Sequence, residues 1–349
     1  MTLKQLVAKV TNKEHFSCIE AYVEFARMFL DYVANDIQAT IVSQNEPHYH
    51  FWQYRKEGHF NVSRPFNSEL MLTKENCDAE LTEFLGLLES IRDSGSDTLQ
   101  QRQRLSHCIY SLQQTIGIAL DALPAGQSNQ ARKINGDLFE RLIRLLLVRV
   151  GVDCTSGTVS VPVVVEKKVQ CSMSFQHDLI VKDGEFVKTI GSVKTSSKDR
   201  LGKIFVDKFL LQKLTDKEVP HVAIFLNDVQ RKKTANARQY GVSATFLPGH
   251  FKAFTLKINP LDGVYYCDLR PNMRTDPLLQ KHIRTIDHFF FGDIWSLISR
   301  DAVVAKIEDS VTHPEMIAEE LRGAGRKHLR SVKHPITALL DERTTDEMQ

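Results

Sequence analysis

Residues 174–194 constrain this chain more than any other stretch. Two apolar runs, Ser174 to Val181 and Phe186 to Lys194, flank the turn Lys182-Asp183-Gly184-Glu185. Short β-branched runs on either side of a glycine-containing turn predict a β-hairpin. Asp178 lies in the first run, and Lys194 ends the second sixteen residues later. On adjacent strands this carboxylate and this ammonium come side by side. Such a pair can hold a divalent cation and a phosphate together, the minimum equipment for cutting a phosphodiester bond.

The rest of the chain supplies a frame for that hairpin. Its 349 residues suggest two domains. The first 123 residues read as helical, with apolar residues at helical spacing over Ser17 to Ala39, Ala79 to Ile91 and Leu99 to Leu123. Pro124-Ala125-Gly126 ends the third helix, and Gly126 to Asn129 reads as a linker. A further helix runs from Ala131 to Val150. Beyond it the pattern turns to strands: Val159 to Val165, the two arms of the hairpin, and Val219 to Leu226. Phe251 to Ile258 and Val264 to Leu269 are expected as strands around the Asp262-Gly263 turn. Ser196 or Ser197 can cap a helix from Lys198 to Leu214, and Leu278 to Ile298 reads as helix. The order predicts an α/β fold, a mixed sheet flanked by helices, with a helical N-terminal domain. The expected boundaries are 1–128, 129–325 and a polar tail, 326–349.

Composition narrows the class. Hydrophobic content of 42% and charged content of 25% are those of an ordinary soluble protein. No apolar run approaches the ~18 residues of a membrane span, and Met1-Thr2-Leu3-Lys4 lacks the apolar core of a signal peptide. Six scattered cysteines with no CxxC pair argue against zinc or a disulfide framework and for reduced thiols in the cytosol. A net charge of +2 gives no global basic field. Local runs exist: Arg231-Lys232-Lys233 with Arg238, and Lys194, Lys198, Arg200 and Lys203.

Phosphodiester hydrolysis needs a hard cation on carboxylate oxygens and a cationic side chain near the attacking water. Asp178 and Lys194 meet both needs, and the Val193 carbonyl between them is a further candidate ligand. Ser192, two residues before the lysine, cannot supply a second charge. Asp207 shares the apolar face of the following helix with Ile204 and Leu211. A lone carboxylate there is costly unless a metal or a cation neutralises it; pairing with Lys203 or Lys208 is the bland alternative. Glu140 lies one turn before Ile143 and is a candidate inward carboxylate, its alternative being a pair with Arg141 or Arg144.

The block Ser192-Val193-Lys194-Thr195-Ser196-Ser197-Lys198-Asp199-Arg200 resembles type II restriction endonucleases of the PD-(D/E)xK superfamily. It looks most like the group acting on CCGG, CCNGG or CCWGG sites. The resemblance covers about residues 130–226. It implies Asp178 as the central metal ligand, Lys194 as the catalytic lysine, Asp207 as a relocated acid and Glu140 as the upstream helix glutamate. Asp178, Asp207, Val193 and Glu140 would then hold Mg2+. Lys198, Asp199 and Arg200 would read CC:GG pairs. Arginine can make two hydrogen bonds to guanine, and aspartate can accept one from cytosine. It further implies double-stranded DNA as substrate, a homodimer, a companion DNA methyltransferase and a prokaryotic cytoplasm. His177-Asp178 stands where the family has Pro-Asp, and Asp207 where it has Glu.

Outside this block, Lys232 and Arg238 are expected on the phosphate backbone. The aromatic run His48 to Arg55 reads as core, with Trp52 or Tyr54 as an alternative base contact. A repair or recombination nuclease of the same fold, or a non-catalytic DNA-binding module, are the competing readings.

Overall fold

The structure, a computed structural model, describes residues 1–56, 59–92, 97–198, 200–232 and 239–300. Helices α1 (Leu3–Thr11) and α2 (Ile19–Asp36) lead into four short strands, β1 (Ala39–Val42), β2 (Tyr49–Lys56), β3 (His59–Val62) and β4 (Phe66–Asn67). Helices α3 (Lys74–Ser90), α4 (Leu99–Asp121) and α5 (Ser128–Arg149) follow. Then come β5 (Asp153–Val165), β6 (Lys168–Asp183), β7 (Phe186–Ser196), α6 (Leu201–Thr215) and β8 (His221–Asn227). A small pair, β9 (Val229–Arg231) and β10 (Val242–Ala244), precedes α7 (Pro248–Lys257) and β11 (Gly263–Tyr266). Short pieces close the described chain: α8 (Pro271–Thr275), α9 (Pro277–His282), β12 (Ile283–Thr285), α10 (Ile286–His288), a π-turn (Phe289–Asp293) and α11 (Ile294–Ser299).

The central sheet has the order β12-β11-β8-β7-β6-β5. β7, β8, β11 and β12 run parallel, while β5, β6 and β7 are antiparallel neighbours. The mixed sheet flanked by helices is thus as the sequence predicts. In β8 all seven residues are buried, which requires helices on both faces. Val222, Ile224 and Leu226 join the cluster that holds α5 and α4. Ala223 and Phe225 join Ile204 and Phe205 of α6 and Phe251 of α7 on the other face.

α4 is the organising helix of the first layer. Thr98 and Gln101 form a reciprocal cap at its start, and Leu105, Ile109, Leu112 and Ile116 are fully buried. Its buried polar residues bind neighbours: Gln113 Nε2 donates to Asn135 Oδ1 of α5 at 2.9 Å, and Leu72 N–H donates to Ser111 Oγ at 2.8 Å. The apolar cluster runs from Leu6 through α4 and α5 to Leu179 and Val193 of the sheet without a break at residue 128. No helix among the described residues is long and apolar enough to cross a membrane.

Three expectations about elements are corrected. The first 123 residues are not all helical, because β1–β4 occupy 39–67. β2 is buried on both faces, Tyr49 and Phe51 against Val229 and Val242, and Trp52 and Tyr54 against the helices. That removes the polar–apolar alternation that signals a half-buried strand. Phe251 to Ile258 is helix, with Pro248 in its first turn; a short apolar run does not by itself tell helix from strand. Leu278 to Ile298 is broken, because Ile283–Thr285 adds a parallel strand beside β11. The tail 326–349 lies outside the described residues.

Gly191 marks a tight contact between neighbouring strands of the sheet. A methyl there would stand 2.9 Å from Val222 Cγ2 and 3.2 Å from Leu179 Cδ1. Gly191→Ala is expected to destabilise the fold by about 1–3 kcal/mol through overpacking, read as a lowered urea midpoint; an unchanged midpoint refutes this contact.

Candidate active site

A β-bulge builds the site. Between β5 and β6 the partners step from Thr155 opposite Ile180 to Gly157 opposite His177, two residues on one strand against three on the other. The extra residue breaks the alternation of β6 beside Asp178. On its other edge, β6 pairs with β7 only as far as Leu179 opposite Gly191. Beyond that pair the strands part, and the Asp178 carboxylate takes up the fork: Val193 N–H donates to Asp178 Oδ2 at 2.8 Å. Arg144 of α5 donates to the Asp178 carbonyl at 3.3 Å, which ties the bulge to the helix.

Lys194 occupies the same fork. Its Nζ donates to Asp178 Oδ2 at 2.5 Å and to Glu140 Oε1 of α5 at 2.9 Å. The side chains of Asp178, Glu140 and Lys194 are 9%, 23% and 28% exposed, a site open to solvent on one side. The bland alternative for Glu140 does not hold, since its ion pair is with Lys194. Asp137 turns instead to Lys13, at 2.7 Å. Arg144, named from the sequence only as an alternative partner of Glu140, binds the Asp178 carbonyl instead, from one turn beyond Glu140 on the same helix.

One ammonium faces two carboxylates. Burial raises the Glu140 carboxyl above its ordinary value, the Asp178 charge raises it further, and Lys194 opposes both. Burial pulls the Lys194 amine down, but Asp178 and Glu140 more than offset it, so the net shift is upward and it stays charged at neutral pH. This excess of negative oxygen fits a hard cation. The two carboxylates, Asp178 and Glu140, offer only oxygen, with no thiol or imidazole beside them in the cluster, which suits magnesium better than softer metals. Mg2+ in particular is often held by one or two carboxylates plus substrate phosphate and water.

Asp207 is not brought to this cluster. It pairs with Lys203 one turn back, the bland alternative. Its charge acts on His177, whose ring meets His221 on the α6 side of the sheet. Among the described residues no three His, Cys, Asp or Glu stand together as a metal-holding group. The apolar face of α6 does point at the sheet, as its periodicity implies, but at the opposite face from Glu140.

The recognition candidates fall along the Lys194 end of β7. Lys198 is exposed, its N–H held by Ser196 Oγ at 3.2 Å and its Nζ by Gln230 at 3.2 Å. Arg200 is exposed at the N-cap of α6, which starts at Leu201 instead of Lys198. Ser196 and Ser197 lie 3.3 and 3.2 Å from Thr245 Oγ1 and so fix this turn against β10. Asp199 and Arg238 lie outside the described residues. Lys232 is exposed, its N–H bonded to the Gly241 carbonyl at 2.8 Å. Its neighbour Arg231 binds the carbonyls of Val62 and Ser63 and lies over Phe51 and Tyr240, so this member of the basic run secures the β9–β10 pair to the N-terminal sheet. Tyr54 is fully buried and donates to the Ile118 carbonyl at 2.7 Å; Trp52 packs on Phe66 at 4.3 Å. Both belong to the core, as the first reading of the aromatic run has it.

The fold is shared with one solved restriction endonuclease in particular. The structure of the Type IIP restriction endonuclease Kpn2I superposes with a TM-score of 0.62 over 84% of this chain and 96% of that one, at 16% identity. The restriction endonuclease PspGI–substrate DNA complex matches with a TM-score of 0.36 over 65% of this chain and 90% of that one, at 14% identity. No protein-family profile matches the sequence, and no curated protein matches it at a significant level. The likeness to Kpn2I establishes the fold.

The charge balance predicts a pH effect. With Glu140 raised above its ordinary 4.5, the folded protein keeps a proton that the unfolded chain releases. Relative stability therefore falls as pH rises from 4.5 through the raised value, and the penalty is full above it. Glu140→Gln removes this penalty. Its melting temperature relative to the unmodified protein is expected to rise from pH 4.5 to pH 8; a gap that stays constant over that range sinks the assignment.

Proposed function

We propose that this chain is a type II restriction endonuclease, a Mg2+-dependent hydrolase of double-stranded DNA at a palindromic site containing CC/GG pairs. The observation that carries it is the Asp178–Lys194–Glu140 cluster in the fork between β6 and β7, on a fold shared with Kpn2I.

Asp178 and Glu140 would hold the ion, with the Val193 carbonyl as a further ligand. Bound there, magnesium supplies an acidic water and charge neutralisation at phosphorus. Lys194, kept protonated by both carboxylates, places a compact positive charge and three donors beside the phosphate. Val193 N–H fixes the orientation of the Asp178 carboxylate before substrate arrives. The bulge and the Arg144 contact keep that carboxylate on the same side as Glu140. Lys198, Asp199 and Arg200 would read base edges as a unit projecting from the Lys194 end of the sheet, and Lys232 and Arg238 would contact backbone. Asp207 has no part in this mechanism as the side chains stand.

A palindromic site cut on both strands calls for two copies related by a twofold axis. A cell holding such an activity in its cytoplasm needs a companion DNA methyltransferase to protect its own sites.

Incubation of plasmid DNA with the protein and Mg2+ is expected to give discrete fragments with common end sequences, and chelation by EDTA to abolish them. Lys194→Met and Asp178→Asn are each expected to lower the single-turnover rate by about 10²–10³-fold or more while duplex binding survives. A smear or branch-dependent cuts would place the chain among repair nucleases, and no cleavage under any divalent cation would leave only DNA binding.

A further inference from the structure

The β5–β6 ribbon outgrows the sheet. β6 pairs with β7 only from Leu179 to Asp183, whereas its pairing with β5 continues back to Lys168 opposite Val165. Since β6 is antiparallel to β7, this extra length runs past the Lys194 end of β7. Its inner part is covered: Val159, Val161 and Phe175 are buried. From Pro162 to Ser174 every residue is exposed or half-buried. The outer ribbon therefore has water on both faces.

A lone two-stranded ribbon is only marginally stable in water. This one nevertheless carries apolar side chains where nothing covers them. Val164 and Val169, direct cross-strand partners, are 54% and 56% exposed, and Val165 is 52% exposed. Beside them the turn presents Lys167 and Lys168 against one acid, Glu166. Glu166 and Lys167 both have positive φ, 50° and 63°, the conformation that closes a two-residue hairpin and is ordinarily filled by Asn-Gly. The sequence thus places long charged side chains at the point of the arm where glycine would be easiest.

The root of the arm is the catalytic fork. His177 and Asp178 belong to the same strand, and Lys198 and Arg200 project from the neighbouring strand end. At about 3.3 Å per residue the strand from His177 to Lys168 reaches roughly 30 Å, close to one turn of B-form duplex, about 34 Å. A two-stranded ribbon also matches the width of the major groove.

We propose that this arm lies in the major groove of the DNA flanking the recognised base pairs, with Lys167 and Lys168 on backbone phosphates and the tip valines against the groove wall. The proposal rests on the endonuclease reading and adds a contact outside the recognition site. The positive tip and the position of the root beside the scissile phosphate favour DNA over a second copy of the chain as the occupant.

The test uses the full chain in EDTA, where binding occurs without cleavage, on duplexes holding a site mapped by plasmid digestion. One duplex carries about one helical turn of flanking sequence on each side; the other is trimmed to the site. For Lys167→Ala/Lys168→Ala the slope of log affinity against log salt on the long duplex is expected to become shallower by about 2. Protection of the flank from hydroxyl radicals is lost, and the difference from the unmodified protein vanishes on the trimmed duplex. Val164→Ser/Val169→Ser is expected to weaken binding to the long duplex without changing that slope. An unaltered slope and footprint overturn the proposal; if sedimentation then shows the variants dissociating, the arm belongs to an interface between copies. Cleavage of plasmid with an arm-independent footprint leaves the endonuclease reading standing alone, whereas absence of both cleavage and binding removes both.

Discussion

The Lys194 ammonium, held between the carboxylates of Asp178 and Glu140, is the interaction on which the candidate site depends. Each of the three groups comes from a different element, β7, β6 and α5, so the contact fixes helix against sheet as well as charge against charge. It is also incomplete. One positive charge meets two negative ones in a partly dry fork, and Glu140 is shifted upward there by its burial first and by the Asp178 charge second. A site at rest with too little positive charge is a site prepared to gain some. Removing Lys194 would leave two buried-side carboxylates facing each other, which is why its charge is structural before any substrate arrives.

Much of this site was legible in local sequence. The hairpin could be read because β-branched runs and a glycine turn specify it without reference to the rest of the chain, and Asp178 and Lys194 followed from it. Glu140 could be read because helical periodicity puts it one turn from Ile143. Asp207 stands apart from the cluster for a reason of a different order. Periodicity says that its face of α6 meets the sheet, but it does not say which face of the sheet; the helix lies opposite α5, and Lys203 is near enough to neutralise the acid locally. The bulge beside Asp178 was invisible as well, since it is a mismatch between two strands and no single segment contains it. The same limit hid β12, a three-residue strand that exists only because β11 offers it an edge.

The N-terminal residues are held by polar contacts as well as by apolar packing. Tyr49 Oη of β2 donates to Asp268 Oδ2 at 2.8 Å, and Asn67 Nδ2 of β4 donates to Asp268 Oδ1 at 2.9 Å, all in buried surroundings just beyond β11. Arg270 reaches Glu46 at 2.8 Å. Each of these groups would be left unsatisfied if the small sheet moved away, at about 1–3 kcal/mol for each buried orphan. With Arg231 fastened to the Val62 and Ser63 carbonyls, the β9–β10 pair beside the turn after β7 is tied to the same small sheet. Residues far from Lys194 in sequence thereby set the rigidity of the surface that would meet DNA.

The division between stability and function runs along the central strands. α4 is capped at its start, buried over most of its length from Leu105 on and hydrogen-bonded through polar residues, as a helix devoted to the fold should be. The Lys194 end of the sheet departs from that pattern: β6 is bulged, β6 and β7 part, and α6 starts at Leu201 with no side-chain cap from Arg200. Local rules are broken where a chain gives up stability for an exposed and specific arrangement. Arg200 is exposed at the helix start, and a splayed strand pair keeps two carboxylates within reach of one amine. The rest of the fold must be overdetermined for those departures to persist, and the unbroken core from Leu6 to Val193 is what overdetermines it.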